Sequence, residues 1–120
     1  MSRLLVQLST GSENPTKVTL AFLIARTALE KGHDVDVFLL GDAVQLYRPA
    51  TIDALHGVGT GSLREHVDAL AAGGARFYAS RLSSDARAMG PAATGGLAVD
   101  FVLPERLVEL TFEADRVISF

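Results

Sequence analysis

The chain contains 120 residues and no cysteine. Without a thiol it cannot form disulfides, bind zinc through thiolates, hold an iron–sulfur cluster or use a sulfur nucleophile. Any chemistry must therefore depend on hydroxyl, carboxylate, guanidinium and imidazole groups. Four segments rich in polar groups follow short apolar runs: residues 9–14, 41–47, 80–85 and 103–105. If the runs are parallel strands, these segments meet at the carboxyl edge of one sheet, where ligands bind in α/β proteins.

The first segment reads Ser9-Thr10-Gly11-Ser12 and precedes an expected helix that begins at Asn14-Pro15. Because N–H groups at a helix N-terminus bind anions, Ser9, Thr10 and Asn14 are candidate ligand residues. The alternative is an ordinary loop in which Asn14 caps the helix. In the second segment, Asp42 either faces the expected crevice, as a ligand or base, or caps a short helical turn.

The three histidines have no metal-ligand spacing such as i, i+4 on one helix, so we expect no metal site. His33 follows the expected first helix, and His66 is expected on an exposed helix face. His56 lies in a segment expected to be irregular, residues 48–61, which is the best location for a functional histidine. The Gly57–Gly61 stretch lacks the strand-to-helix context of a dinucleotide loop and indicates a flexible lid or connector. We expect no cofactor.

Apolar runs and helical patterns alternate along the chain, which predicts a parallel sheet with helices on both faces and right-handed crossovers. The length fits one domain over residues 1–120. The expected strands are residues 4–8, 35–40, 76–79, 99–103 and 116–120, and the expected helices are 15–31, 63–72 and 104–114, with a loop or short helix over 80–89.

Composition narrows the class of partner. The net charge is −3 and the charges are mixed, without the basic stripe that nucleic acids require. The longest apolar run, Leu20–Ala25, is far too short to span a bilayer. Met1-Ser2-Arg3 leads directly into a strand-like run without the features of a signal peptide. We therefore expect a cytoplasmic protein that binds neither nucleic acid nor membrane.

The first helix is apolar over more than one face. One stripe, expected to cover the sheet, continues into a second stripe of Leu20, Leu23 and Ile24. Either this helix is wedged deeply between neighbouring elements, or the second stripe forms a subunit interface. The sheet-facing stripe comprises Val18, Ala21, Phe22, Ala25, Ala28 and Leu29.

Several stretches occur in an order and spacing that extend over nearly the whole chain: Asn14–Lys17 before the apolar helix, Ala28–Val35, Val37–Val44, and Leu70–Tyr78 followed by Ala86-Arg87. Together they resemble the small sulfur-relay proteins of the DsrE/DsrF (YchN-like) family. The resemblance implies a three-layer α/β/α domain with a five-stranded parallel sheet. It also implies assembly as a homo- or hetero-oligomer, often a trimer or hexamer.

Relatives with relay activity carry a cysteine after the third strand, in a Tyr-x-Cys-x-x-Cys pattern, and this cysteine takes up sulfane sulfur as a persulfide. Here the corresponding stretch is Tyr78-Ala79-Ser80-Arg81-Leu82-Ser83, so serine replaces both cysteines. A serine hydroxyl ionises far less readily than a thiol and forms no persulfide. We expect Arg81 to fill the former pocket or to attract an anion, and Arg87 to brace the loop against Asp85 or another subunit.

Three hypotheses follow. The first is a non-catalytic, homo-oligomeric binding or scaffold protein whose pocket holds a small anion or the tail of a partner, such as a family paralogue. The second is an accessory subunit that docks a thiol-bearing sulfur carrier. The third is a small-molecule enzyme that uses Ser80 or Ser83 with His56 or Asp42. It requires a base within hydrogen-bond reach of either serine, allowing for loop closure and neighbouring subunits.

Overall fold

The computed structural model describes residues 2–120. Five strands form one parallel sheet in the order β4-β3-β2-β1-β5. They are β1 (Arg3–Leu8), β2 (Asp34–Leu39), β3 (Arg76–Ser80), β4 (Val99–Val102) and β5 (Arg116–Ser119). The helices are α1 (Pro15–Glu30), α2 (Pro49–Ala54), α3 (Leu63–Ala72), α4 (Arg81–Ala86) and α5 (Pro104–Glu113). Gly41–Tyr47 and Pro91–Ala93 form 3₁₀ helices, and His56–Gly57 pairs with Gly61–Ser62 in a short hairpin.

Side chains alternate across the sheet, so strands β1 to β4 contribute to two separate cores. The larger core lies on the α1 and α3 face and includes Phe22, Val37 and Leu70. The smaller core lies on the α5 face and consists of Leu5, Phe38, Tyr78 and Leu110, with partly buried neighbours. The arrangement confirms the expected three-layer α/β/α fold with a five-stranded parallel sheet. Its two helical layers are unequal, because the face that carries the smaller core is covered by α5.

Local sequence determines where the longer helices begin and end. Asn14 Oδ1 accepts a hydrogen bond from the Lys17 amide at 3.2 Å, which confirms Asn14 as the cap of α1. Gly32 ends this helix with a φ of +93°, a conformation that glycine adopts without strain. Ser62 caps α3 by accepting from the Glu65 amide at 3.2 Å, as expected for a capping box.

The expectation of an irregular segment over residues 48–61 is wrong in part. Pro49 occupies the first turn of α2, where its missing N–H costs nothing, and Ile52 anchors the helix in the core. The glycine stretch then turns back in the short hairpin, whose Val58 amide donates to Thr16 Oγ1 at 3.0 Å. The hairpin is therefore fastened to α1.

His66 is buried, contrary to the expectation of an exposed position. It lies on the same face of α3 as Leu63, Val67 and Leu70, which are all buried. Its Nε2 lies 2.7 Å from the Thr60 carbonyl oxygen, so this nitrogen carries the proton and donates it to the carbonyl. His66 thus connects α3 to the hairpin.

The α5 face also contains a fully buried carboxylate, Asp36. Arg3 Nε donates to Asp36 Oδ2 at 2.9 Å, and Arg76 Nε donates to Oδ1 at 2.6 Å. Each oxygen therefore has its own guanidinium, which is the condition under which a buried charge is tolerated. The hydrogen bond to Asp36 raises the pKa of Arg76. Within residues 2–120, no helix has both the length and the apolar character needed to cross a membrane.

Candidate functional site

The carboxyl ends of β2 and β3 meet at Ser80, Ser83 and Gly41. Ser80 ends β3 and caps α4, because its Oγ accepts from the Ser83 amide at 3.2 Å. Ser83 Oγ in turn accepts from the Gly41 amide at 2.9 Å. Gly41 has a φ of +55°, which lets the chain leave β2 and enter the 3₁₀ helix. The two serine hydroxyls therefore connect the ends of neighbouring strands.

Arg87 closes the same junction from the end of α4. Its Nε donates to Asp42 Oδ1 at 3.1 Å, and its Nη1 donates to the Ser83 carbonyl at 3.0 Å. Within the described chain, Arg87 braces the loop against Asp42 rather than against the expected Asp85. Asp42 makes no capping hydrogen bond to the 3₁₀ helix, whose preceding residue, Leu40, also provides none. Its carboxylate instead holds Arg87 in place at the exposed rim.

The segment after β1 approaches the junction through Gly11. A Cβ at Gly11 would lie 3.1 Å from the Asp42 carbonyl oxygen, so only glycine fits here without displacement. Ser9 is exposed and donates its amide to the Phe120 carbonyl at 3.1 Å, while Asn14 serves as the α1 cap. Of the candidate ligands in this segment, Ser9, Thr10 and Asn14, none hydrogen-bonds to the Ser80–Ser83 junction.

Within the described chain, neither serine hydroxyl bonds to a histidine or a carboxylate. His56 is exposed on the hairpin that α1 holds, and it makes no hydrogen bond to Ser80 or Ser83. Asp42 bonds to Arg87 rather than to a serine. The base that would activate a serine nucleophile is absent from this arrangement. In the same residues, 2–120, no three metal-ligating side chains cluster.

Arg81 differs from Arg87 in having no partner. It is exposed at the start of α4, and among residues 2–120 its guanidinium forms no ion pair. It borders an open cavity of about 470 Å³ between α4 and the edge of β4. Asp85 and Asp100 line the same cavity with Met89. The cavity therefore offers an unpaired cation beside apolar and acidic groups.

Two residues near this junction, Ser84 and Tyr47, were not predicted from the sequence. Ser84 is fully buried on α4, and its Oγ has no hydrogen-bond partner in the described chain. Tyr47 is also fully buried and donates to the Tyr78 carbonyl at 2.9 Å. Burial raises the pKa of Tyr47 well above its usual value of 10.0. Tyr47 stands at the end of an apolar turn, and this position in the sequence could have indicated its burial, because an aromatic ring with one polar atom fits there.

A family model described as the DsrE/DsrF-like family matches residues 2–120. The chain belongs to this family. Among solved structures, the DsrE/DsrF-like protein is similar to the ychN protein from E. coli, with 17% identity, full coverage of both chains and a TM-score of 0.77. It is also similar to a conserved protein of unknown function, BT1422 from Bacteroides thetaiotaomicron, with 13% identity and a TM-score of 0.71. That match covers 99% of this chain and 95% of the other. Comparison with curated protein sequences gave no match.

Family membership allows the fold and the cysteine content of this chain to be compared with those of its relatives. This DsrE/DsrF-like protein has the fold of its structural neighbours but no cysteine anywhere in its sequence. Ser80 ends β3, and Ser83 lies in the first turn of α4. Both hydroxyls take part in hydrogen bonds that join α4 and the two strand ends. Without a thiol, the chain cannot itself carry a persulfide.

Proposed function

We propose that this DsrE/DsrF-like protein is a non-catalytic binding or scaffold protein that acts as a homo-oligomer. The observation that carries the proposal is the use of both serine hydroxyls. Ser80 caps α4 and Ser83 holds the Gly41 amide, and neither hydroxyl bonds to a histidine or carboxylate that could activate it. Since the chain also lacks thiols, its family scaffold serves to bind rather than to react.

The binding surface that we propose is the cavity bordered by Arg81. A guanidinium without a partner favours a carboxylate or phosphate, and a hydrogen bond to a charged group contributes about 1.5–3 kcal/mol. Met89 and Phe101 supply apolar surface in the same cavity, as expected for a site that holds a small anion or the carboxylate-bearing tail of a partner. Asp85 and Asp100 also line the cavity, so we expect a monoanionic carboxylate to bind more tightly than phosphate.

The proposed self-assembly is supported by the outer flank of α1. Leu20 is exposed, and Leu23 and Ile24 are only partly buried, so the described chain does not enclose this flank. A second copy of the chain would cover it, as in the trimers and hexamers that the family resemblance implies. Multi-angle light scattering measures this directly. A monomer at all accessible concentrations would contradict the proposal.

Binding is tested by isothermal titration of the wild-type protein with two probes, inorganic phosphate and a short peptide with a free terminal carboxylate. We expect the Arg81→Ala substitution to reduce the affinity for the probe by roughly tenfold or more, which is the effect of losing one charge-assisted hydrogen bond. Lys31→Ala is the matched control, because Lys31 is also exposed and lies outside the cavity. Equal affinities of wild type and Arg81→Ala, or no binding of either probe, would contradict this assignment.

A second role is supported by the family match over residues 2–120: the protein docks a thiol-bearing carrier and shields its persulfide. Persulfide transfer from such a carrier to an acceptor thiol should then change in rate when this protein is added. A Ser80→Cys variant provides the complementary measurement, since it restores a thiol at the position that the resemblance indicates. An unchanged transfer rate would contradict the docking role in sulfur relay and would leave only the binding or scaffold role.

A further inference from the structure

A second cavity lies at the amino edge of the sheet, where β1, β2 and β5 begin. It measures about 510 Å³, is open to solvent, and has walls formed by the start of β1, the loop before β2, and β5. The cavity bordered by Arg81 lies along β4, at the opposite end of the strand order. The two cavities are therefore separate, and they can bind different ligands.

The floor of this amino-edge cavity is apolar and lies on the α1 face of the sheet. Leu4 packs against the larger core, which α1 covers. Ile118 is in register with Val6 of the same core, and parallel neighbours in register point to the same face. Helix α1 packs on β1 and β2, and Ile118 on the neighbouring edge strand remains 37% exposed. The floor is therefore open to a ligand.

Three carboxylates near this edge point to the opposite face of the sheet. Asp36 bonds to the Arg3 guanidinium on the α5 face, and Glu113 of α5 accepts from the same guanidinium at 3.1 Å. Asp34 is in register with Arg3 and therefore shares its face. These acidic groups lie on the α5 face, so they do not neutralise cations on the α1 face.

Two basic side chains, those of Arg116 and His33, line the cavity on the α1 face. Arg116 is in register with Leu4, and its Nη1 donates to the Asp115 carbonyl at 2.7 Å. Among residues 2–120, neither Arg116 nor His33 forms an ion pair with a carboxylate. The Asp115 carboxylate, which also lines the cavity, accepts instead from the Arg3 amide at 2.7 Å. The cavity thus holds a guanidinium with N–H groups available to an anion.

We propose that the amino-edge cavity binds a small monocarboxylate with an apolar body. The planar fork of the Arg116 guanidinium matches the two oxygens of a carboxylate. Leu4 and Ile118 contact the apolar body, and His33 provides a second polar group from the opposite wall. The negative charge of Asp115 repels a phosphate dianion more strongly than a monoanion. The volume also lies within the range of roughly 300–1,000 Å³ that is usual for small-molecule sites.

Titration of the wild-type protein with hexanoate, acetate and 1-hexanol, followed by NMR, tests both parts of this assignment. Hexanoate should shift the backbone amide signals of Leu4, His33 and Arg116. Acetate lacks the apolar body and 1-hexanol lacks the charge, so each should bind roughly tenfold more weakly or less. No shift, or shifts confined to Met89 and Phe101 in the cavity bordered by Arg81, would overturn the proposal. The two cavities are thus tested independently, and equal affinity for 1-hexanol and hexanoate would refute the choice of a carboxylate.

Substitutions of exposed side chains, which leave the core intact, supply a second measurement. Arg116→Gln should reduce the affinity for hexanoate roughly tenfold, and His33→Gln about twofold to fivefold, because its contact is screened by solvent. His56→Gln is the matched control, since His56 is an exposed histidine on the hairpin, and it should bind hexanoate as the wild type does. Ile118→Ser should reduce the preference for hexanoate over acetate. Wild-type affinity in Arg116→Gln would show that the guanidinium is not the anion-binding group and would overturn the site.

Discussion

Substitution of Ser83 by alanine removes the acceptor that holds the Gly41 amide at 2.9 Å. A buried donor left without a partner costs about 1–3 kcal/mol. Ser83 is only partly buried, so water reaches part of the vacated space, and we expect a loss of about 1–2 kcal/mol in the free energy of unfolding. The contact with Arg87 survives in this variant, because it uses the Ser83 backbone carbonyl.

Ser84 provides the matched control on the next position of the same helix. Its hydroxyl has no partner in the described chain, so Ser84→Ala removes a buried polar atom without breaking a hydrogen bond. We expect Ser84→Ala to change stability by less than about 0.5 kcal/mol, or to increase it. Urea unfolding at one fixed protein concentration measures both variants and keeps any contribution from self-association constant.

The two substitutions discriminate between a structural and a reactive serine. If Ser83→Ala is as stable as the wild type, the hydroxyl does not hold the strand end and is free for other chemistry. If Ser84→Ala loses as much stability as Ser83→Ala, then volume rather than hydrogen bonding explains both effects. Either result would refute the description of the strand ends as a hydrogen-bonded junction.

Two further predictions concern the two cores. Asp36→Ala leaves Arg3 and Arg76 without their shared carboxylate. We expect the free energy of unfolding in urea to fall by about 2–4 kcal/mol, somewhat less than usual for a broken buried pair because both arginines are partly exposed. A loss below about 1 kcal/mol would contradict the inferred ion cluster. Burial raises the pKa of Tyr47 above 10.0 in the folded state. The neutral Tyr47 side chain therefore stabilises the fold fully below pH 10.0. This contribution decreases as the pH rises further, because the unfolded chain ionises first. Tyr47→Phe should therefore show a shallower loss of stability between about pH 8 and about pH 11, and an unchanged slope would contradict the assignment.

Local sequence signals predicted most of the architecture. Apolar runs that alternate with helical patterns indicated the strands, and the cap at Asn14 placed the start of α1 correctly. Helix α2 was missed because the glycines beyond it suggested irregular structure, although Pro49 is compatible with a first helical turn. The burial of His66 could also have been predicted from the sequence, because Leu63, His66, Val67 and Leu70 follow the i, i+3, i+4, i+7 spacing of one helix face.

The contacts of the candidate site could not be predicted in the same way. The rule that ligands bind at strand ends selected the candidate segments, but Ser83 bonds to a residue 42 positions away and Arg87 to one 45 positions away. Such contacts depend on the order of the strands and on where each one ends, neither of which a local pattern encodes. The burial of Asp36 is similar, because its two arginines lie on the neighbouring strands β1 and β3.

The position of β5 has a consequence for how the chain folds. This strand pairs with β1 across a separation of 112 residues, as in the contact of the Arg3 amide with Asp115 Oδ2 at 2.7 Å. Closing so long a loop is entropically unfavourable until the rest of the sheet exists, so β5 should join last. Until then β1 is an open edge with Leu5 and Val6 beside it, and other chains can add to it. The slow step of folding and the main risk of aggregation would thus lie at the same edge of the sheet.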